Sequence, residues 1–368
     1  MIRVLHVVPF GGGIQGGIES LVMNIYRNID KDKVQFDFIT YGDPSGYVEE
    51  IERLGGHVYC LTSRKKSIFK SYSETSHFFK MYGRQYSYLH LHVCSASNIL
   101  PLRLNKTISK VIVHAHLSTT IGGIASILHN LNKGYLLYHS TFLFSCSDLA
   151  GAHLFGNHCA SDSRYKFIPN GVDINRFKFS EEKRKQIRRQ HHFTNDDIIL
   201  GFIGRLAWEK NISFLIDIVS HLVHFSRNYK LIIVGEGEMR PFLEEKIREL
   251  SLLKHILLLG ECSNVSEILQ GMDIFVTASK AEGLPVSLIE AQAAGLECVI
   301  SSAITKQANI CGQVHYIDKE ASSNEWAVNI YRLKLPERNS NYERIYNSPF
   351  NIISVAHELQ NFYLTHVI

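Results

Sequence analysis

Two hydrophobic periods alternate along this chain. Apolar runs of strand length occur at 2–10, 34–41, 58–61, 88–93 and 111–114. Between them apolar residues recur at helical spacing, as Ile18, Leu21, Val22, Ile25 and Ile29 do, and helices are also predicted over 47–54 and 72–84. Residues 142–158 read as a strand entering a helix, and 177–196 as a charged helical stretch. The alternation then starts afresh, with strands at 198–203, 229–234, 256–259, 273–279 and 299–302 and helices at 212–225, 241–252, 285–295, 324–333 and 349–365. Strands alternating with helices predict doubly wound parallel sheets, whose ligands lie beyond the carboxyl ends of the strands. Because the pattern begins twice, two α/β domains are expected, 1–178 and 195–348, with a linker at 179–194.

Length supports that division, since 368 residues are enough for two separate cores. No run approaches the roughly 18 apolar residues of a membrane span, so a soluble or surface-bound protein is expected. The chain opens directly on a strand-like segment, with no secretory pattern ahead of it. Seven cysteines are scattered without a Cys-x-x-Cys pair, which fits a reducing cytoplasm and offers neither a disulfide framework nor a zinc site. Charge is uneven: residues 1–178 carry +7 and the remainder −3, giving the net +4. A basic first half can rest on an anionic membrane face or attract an acidic lipid-linked substrate, although an ordinary solvated surface is the plainer account. Nucleic acid is not expected, because Arg64-Lys65-Lys66 and the cluster at 183–189 lack interleaved aromatic residues.

Chemistry concentrates at 273–295, a strand, a short loop and a helix in which Pro285 suits the first turn and Gly295 the end. A helix start there offers unpaired N–H groups and partial positive charge to an anion, phosphate above all. Glu282 and Glu290 bracket it eight positions apart. A diphosphate needs donors while ribose and hexose hydroxyls need carboxylate acceptors, so the stretch suits a sugar nucleotide. Arg205 and Lys210, in the loop after the strand at 198–203, can clamp a diphosphate and take up its charge. Gly11, Gly13 and Gly16 formally satisfy a dinucleotide-binding Gly-x-Gly-x-x-Gly, but Asp37 and Asp43 are badly placed to hold the ribose that motif requires. His114 and His116 end a strand and can hydrogen-bond a sugar hydroxyl. They are not read as a metal pair, on the expectation that the two side chains face opposite ways. Cys146 lacks a base and reads as a buried small residue.

Taken in order, these segments resemble glycosyltransferase family 4, retaining enzymes of GT-B fold that use nucleotide-sugar donors. Glu282 and Glu290 match its Glu-x7-Glu signature, and Gly16-Gly17-Ile18-Glu19 its Gly-Gly-x-Glu opening. His116 matches its histidine after a strand, Asn170-Gly171-Val172-Asp173 its interdomain turn, and Gly204-Arg205-Leu206 with Glu209-Lys210-Asn211 its cationic loop. Residues 142–158 resemble the corresponding strand and Leu-Phe-Gly segment of bacterial polysaccharide glycosyltransferases. Glu238, where the family often has proline, and Trp208 are departures.

The resemblance implies two Rossmann-like domains facing a central cleft, the first binding acceptor and completed by a C-terminal helix at 349–368, the second binding donor. It implies that Arg205, Lys210 and the helix beginning at Pro285 stabilise the departing diphosphate. Glu282 then binds the donor sugar or supports charge at its anomeric carbon, Glu290 holds the ribose, and His116 reaches the donor sugar. Gly260, Glu261 and Cys262 form the base pocket, largely through backbone. Gly16, Gly17, Gly283, Leu284, Pro285, Val286 and Ser287 complete the donor site. No cofactor and no metal are expected beyond the nucleotide sugar, a UDP-linked hexose or N-acetylhexosamine. The acceptor is expected to be a growing polysaccharide or lipid-linked saccharide of capsule, exopolysaccharide or O-antigen assembly. The location is the cytoplasm, with peripheral contact to the inner membrane face. A sugar-nucleotide epimerase of the same fold and a non-catalytic sugar-nucleotide-binding subunit are the rival readings. The joint presence of Arg205, Lys210, Glu282 and Glu290 weighs against the second.

Overall fold

Each apolar run of strand length becomes a strand of a parallel sheet. In the computed structural model, which describes residues 1–8, 17–42, 46–117, 123–280, 282, 284–338 and 342–366, two sheets are present among the described residues. The first contains β1 (Ile2–Val7), β2 (Val34–Tyr41), β3 (Val58–Leu61), β4 (Tyr88–Val93), β5 (Lys110–Ala115), β6 (Phe142–Ser145) and β7 (Tyr165–Phe167), in the order β3-β2-β1-β4-β5-β6-β7. The second contains β8 (Ile198–Ile203), β9 (Tyr229–Val234), β10 (Ile256–Gly260), β11 (Ile274–Thr277), β12 (Glu297–Ser301) and β13 (Val314–Ile317), in the order β10-β9-β8-β11-β12-β13. Every pairing is parallel. Each sheet winds outward in both directions from its own first strand, so each has a switch point, β1 against β4 in the first and β8 against β11 in the second.

The sheets belong to two units, Met1–Val172 with Ile352–Ile368, and Asp173–Asn351. In the first, the C-terminal helix Ile352–Thr365 buries Val355, Leu359, Phe362 and Tyr363 against Phe36, Tyr88 and Phe144. Tyr88 Oη donates to the Tyr363 carbonyl at 3.0 Å. This helix joins the unit beside the turn 170–173: Ile352 N–H donates to Val172 O at 3.0 Å, and a Cβ on Gly171 would lie 2.9 Å from Ile352 Cα. That close approach is the physical reason for glycine in the Asn-Gly-Val-Asp turn. In the second unit Trp326, Phe202, Ile216 and Leu231 are among the buried residues of one continuous core. No helix among the described residues is long and apolar enough to cross a membrane.

The linker expected at 179–194 is instead a working part of the second unit, and the chain crosses earlier, at Val172–Asp173. Helix Glu181–Gln190, capped by Ser180 Oγ, lays Arg184 and Arg188 against Asp273 at 2.6 and 3.1 Å. Asp273 also accepts the Ile199 N–H at 2.7 Å, at the start of β8. Arg188 reaches further, to the carbonyls of Thr194 and Asp197, both at 2.6 Å. High charge on the exposed side disguised the two arginines that face inward.

Asp273→Ala strands two largely buried guanidinium groups, and we expect a loss of about 3–5 kcal/mol. Urea unfolding should show it as a lower midpoint with an unchanged slope. An unchanged midpoint would mean that the ion pairs do not hold the helix.

Candidate active site

The loops after β8 and β11 meet at the switch point of the second unit. Lys210 ends the loop after β8, where Asn211 adopts a left-handed conformation (φ 54°) and opens helix Ile212–Phe225. Its Nζ makes an ion pair with Glu282, which lies 72 positions away in the loop after β11. Ser279 Oγ donates to Glu282 Oε1 at 2.9 Å and also meets Thr277 Oγ1 at 3.0 Å. The Lys280 N–H donates to Glu209 O at 2.9 Å and so ties the two loops a second time. Arg205 pairs with Glu209 and is mostly exposed, able to swing onto an incoming anion. Helix Val286–Ala293 begins here without a side-chain cap, with Pro285 in extended conformation as its N-cap. Its first-turn N–H groups are what a phosphate would take. Leu284 is buried behind them, and Gly283 lies outside the described residues.

Three neighbouring loops are stitched together by backbone. Gly204 N–H donates to Val234 O at 3.0 Å, Gly235 N–H to Gly260 O at 2.8 Å and Leu206 N–H to Glu236 O at 2.8 Å. A Cβ at Gly235 (φ 135°) would lie 2.0 Å from the Gly204 carbonyl oxygen, so only glycine allows the loop bearing Arg205 to pack there. Gly260, at the end of β10, is left-handed, and a Cβ on it would crowd Glu236, which pairs with Arg240. Cys262 follows, its thiol raised by burial and then by Glu261. Sequence reasoning placed Glu209 in the cationic loop but gave no role to its side chain, nor to Gly235 and Glu236 of the Gly-Glu-Gly run after β9.

Glu290 sits on helix Val286–Ala293, partly exposed as a residue but with an enclosed carboxyl. Burial pushes its pKa up to about 7, and the nearby Arg176 of segment Ile174–Phe177 pulls only weakly the other way. Arg176 is a further residue the sequence reading missed.

In the first unit the residues at the sheet ends are neutral. His6 on β1 and His92 on β4 face each other across the switch point, Nδ1 to Nε2 at 2.9 Å, and His92 Nδ1 meets His116 Nε2 at 2.9 Å. The expectation that His114 and His116 face opposite ways is incorrect. Residues two apart on a strand share a face, and their ring centroids are 4.2 Å apart. With His90 they form a buried stack of five imidazoles, in which two triplets, His6 with His90 and His92, and His92 with His114 and His116, bring nitrogens within 4.8 Å. Burial drives His6 and His114 down to about 3 and holds the other three well below the usual value. Cys146, also buried, has its thiol pushed up to about 12 and points Sγ at the His116 carbonyl, 3.6 Å away. Gly16 lies outside the described residues, whereas Gly17 opens helix Gly17–Asn28.

Two Rossmann-like parallel sheets wound in this way, with helices, define a GT-B protein. The structure of HepE from Anabaena in complex with UDP superposes with a TM-score of 0.79 over 99% of this chain and 100% of that one, at 16% identity. Residues 183–330 match the family described as glycosyl transferases group 1. A Bacillus subtilis protein named as a glycosyltransferase, EpsF, is 32% identical over 336 residues, 90% of this chain and 87% of its own. The capsular polysaccharide biosynthesis glycosyltransferase CapH of Staphylococcus aureus is 23% identical over 99% of both chains. The chain therefore belongs to the group 1 glycosyl transferases.

A raised carboxyl pKa means the folded state prefers the protonated form, so stability falls as pH climbs from about 4.5 to about 7 and stays low above. Glu290→Gln removes the charged form, and we expect it to stabilise the ligand-free protein by about 1–3 kcal/mol at pH 8 and hardly at all at pH 4.5. Melting curves of both proteins at the two pH values check this; equal shifts at both would place the carboxyl in water.

Proposed function

We propose that this glycosyltransferase is a retaining, family 4 enzyme that moves a hexose or N-acetylhexosamine from a UDP-sugar to a growing polysaccharide or lipid-linked saccharide. The observation that carries the reading is the Lys210–Glu282 ion pair at the switch point of the second unit, beside Arg205 and an uncapped helix start. The pair stores opposite charges where a donor needs both. An arriving diphosphate draws Lys210 and Arg205 to itself, which turns the Glu282 carboxylate toward the sugar. As the bond to the anomeric carbon breaks, negative charge grows on the diphosphate, where the two cations and the helix N–H groups stabilise it. Positive charge grows on the sugar, where Glu282 supports it. The acceptor attacks from the face the diphosphate leaves, and the departing phosphate takes its proton. These groups do the work a divalent cation would do, so neither metal nor cofactor is assigned to the reaction.

Glu290 holds the ribose hydroxyls, the loop around Gly260, Glu261 and Cys262 holds the base, and His116 gives a hydrogen bond to the sugar. The UDP bound to HepE and the capsular role in the name of CapH support the donor and the pathway class.

The deciding experiment is calorimetric titration of the purified chain with UDP, GDP, ADP and NAD, followed by product analysis with a UDP-sugar and a lipid-linked saccharide. We expect UDP to bind and the product to keep the donor's anomeric configuration by NMR. Binding of NAD alone, or inversion at the anomeric carbon, would sink the proposal, and donor conversion without acceptor would make the chain an epimerase. Arg205→Ala and Lys210→Ala should each lower kcat by about 10²–10³-fold, because their partner charge develops in the transition state.

Peripheral attachment to an anionic inner leaflet also fits the first unit. Around the start of helix Ile68–Tyr82, Ile68 and Phe69 are 67% and 90% exposed beside exposed Arg64, Lys65, Lys66 and Lys70. Apolar tips inserted among headgroups with lysines on phosphate is how a surface segment binds such a membrane. Sedimentation with phosphatidylglycerol vesicles should pull down the chain, phosphatidylcholine vesicles should not, and Phe69→Ser should weaken the first several-fold. Indifference to lipid charge would remove the attachment.

A further inference from the structure

The five buried imidazoles of the first unit are more than the single sugar-contacting histidine requires. They run in two hydrogen-bonded rows. In one, Tyr363 Oη meets His90 Nδ1 at 2.7 Å and His90 Nε2 meets His114 Nδ1 at 3.3 Å. In the other, His6, His92 and His116 are joined in series at 2.9 Å each. The second row ends, at both extremities, in a nitrogen without a hydrogen-bond partner among the described residues: Nε2 of His6 and Nδ1 of His116.

A metal ion is the first alternative, since neutral imidazoles are ready ligands. The geometry is against it. In the triplet of His6, His90 and His92 the rings lie 12° to 29° from parallel, and in that of His92, His114 and His116 they lie 28° to 34° from it. Lone pairs lie in the ring plane, so stacked rings send them side by side rather than to one centre, whereas zinc needs them to converge tetrahedrally at about 2.0–2.1 Å. Nδ1 of His92 and Nε2 of His116 already face each other.

A row of three neutral imidazoles has only two internally consistent settings, because each ring carries one proton and each link needs one donor and one acceptor. Either every ring donates from Nδ1, which leaves a lone pair on His6 Nε2 and an N–H on His116 Nδ1, or every ring donates from Nε2, which reverses both ends. Each setting strands one buried N–H, on His116 (5% exposed) in the first and on His6 (2% exposed), inside the sheet, in the second. Buried N–H groups without partners are rarer than under-used acceptors. The first setting places its unmatched N–H on His116, just past the carboxyl end of β5, where parallel sheets present groups to ligands.

We propose that His6 and His92 are positioning residues for His116, which they hold with its proton on Nδ1, as a hydrogen-bond donor to an oxygen of the bound sugar. The backbone of His116 is fixed independently, by its N–H to Val93 O at 3.1 Å and by Cys146 at its carbonyl, so the row sets the tautomer and ring orientation rather than the strand. The proposal rests on the reading of His116 as a sugar-contacting residue.

The test begins with the full chain labelled with ¹⁵N in its imidazoles. Long-range ¹H–¹⁵N correlation spectra, assigned with single His→Gln variants, should show His6, His92 and His116 all protonated on Nδ1. A proton on Nε2 of His92 or His116 overturns the proposal. His92→Leu should turn His116 into a tautomer mixture and raise the KM for the nucleotide sugar about five- to tenfold, with kcat within about twofold, the size of one hydrogen bond. His92→Gln, which can still donate, should recover part of the loss. An unchanged KM in His92→Leu also overturns it, and if that variant does not fold, the wild-type spectrum decides. His116→Leu separates the two readings: an unaltered KM there, with the wild-type row intact in the spectra, would remove the sugar contact and leave the tautomer lock standing. A visible absorption band when Co²⁺ is added to the wild-type chain, absent in His92→Leu, would replace the row by a metal site.

Discussion

The site of the second unit depends on one largely buried carboxylate. Asp273 receives Arg184, Arg188 and the Ile199 N–H, so a helix and the starts of β8 and β11 are fixed to a single side chain. β8 and β11 pair only briefly, Ile274 against Leu200 and Phe275 against Gly201, which leaves their carboxyl ends free to diverge into the loops that carry Arg205, Lys210 and Glu282. A short pairing sets a register poorly by itself. Anchoring both amino ends on Asp273 makes the spacing of the two carboxyl ends reproducible, and the Lys210–Glu282 contact follows from it. Arg338 reinforces the same corner by capping the carbonyls of Leu269, Gln270 and Met272, and burial lowers its own pKa to about 9.

Charge is handled differently at each functional position. Lys210 and Glu282 neutralise each other, so the ligand-free site holds two largely buried ions as a pair, whose mutual attraction offsets the cost of desolvating them. At Glu290 burial outweighs the pull of Arg176 and drives the carboxyl toward its neutral form instead. The five stacked histidines of the first unit are likewise pushed by burial toward their neutral form. On the proposed reading, ribose hydroxyls would favour the ionised form of Glu290 and restore the charge that burial opposes.

Much of this was legible in the sequence, and the failures have identifiable causes. Continuous apolar strands between helical periods gave the parallel sheets, and Arg205, Lys210 and Glu282 fell in the switch-point loops of the second. Strands β7 and β13 were missed because they are short edge strands with polar residues in them, Lys166 and His315. Helix Ile124–Tyr138 was missed for another reason. Ile124, Ile127, Leu131 and Tyr138 are all well exposed, so its apolar period does not mark a core face. The helix Glu181–Gln190 looked like a linker because composition cannot tell an arginine facing water from one facing Asp273. The histidine stack required strand register: His90 lies beside His6, and His114 beside His92, only because β4 pairs with both β1 and β5.

The two units therefore present opposite electrostatics at equivalent places of the same fold. At the second switch point lie Arg205, Lys210 and a helix start, suited to an anion that gains charge during reaction. At the first lie imidazoles whose pKa values burial lowers, which favours the neutral form, able to donate or accept one hydrogen bond with a hydroxyl group. Part of the positive charge of the first unit is exposed together, at Arg64, Lys65, Lys66 and Lys70. Charge placed there can act over a Debye length on a membrane or an anionic lipid carrier, whereas the same charge inside the sheet would be costly and would compete for the diphosphate. On the proposed reading, one sheet architecture thus serves a doubly charged donor and a neutral sugar because each switch point is furnished by a different residue chemistry.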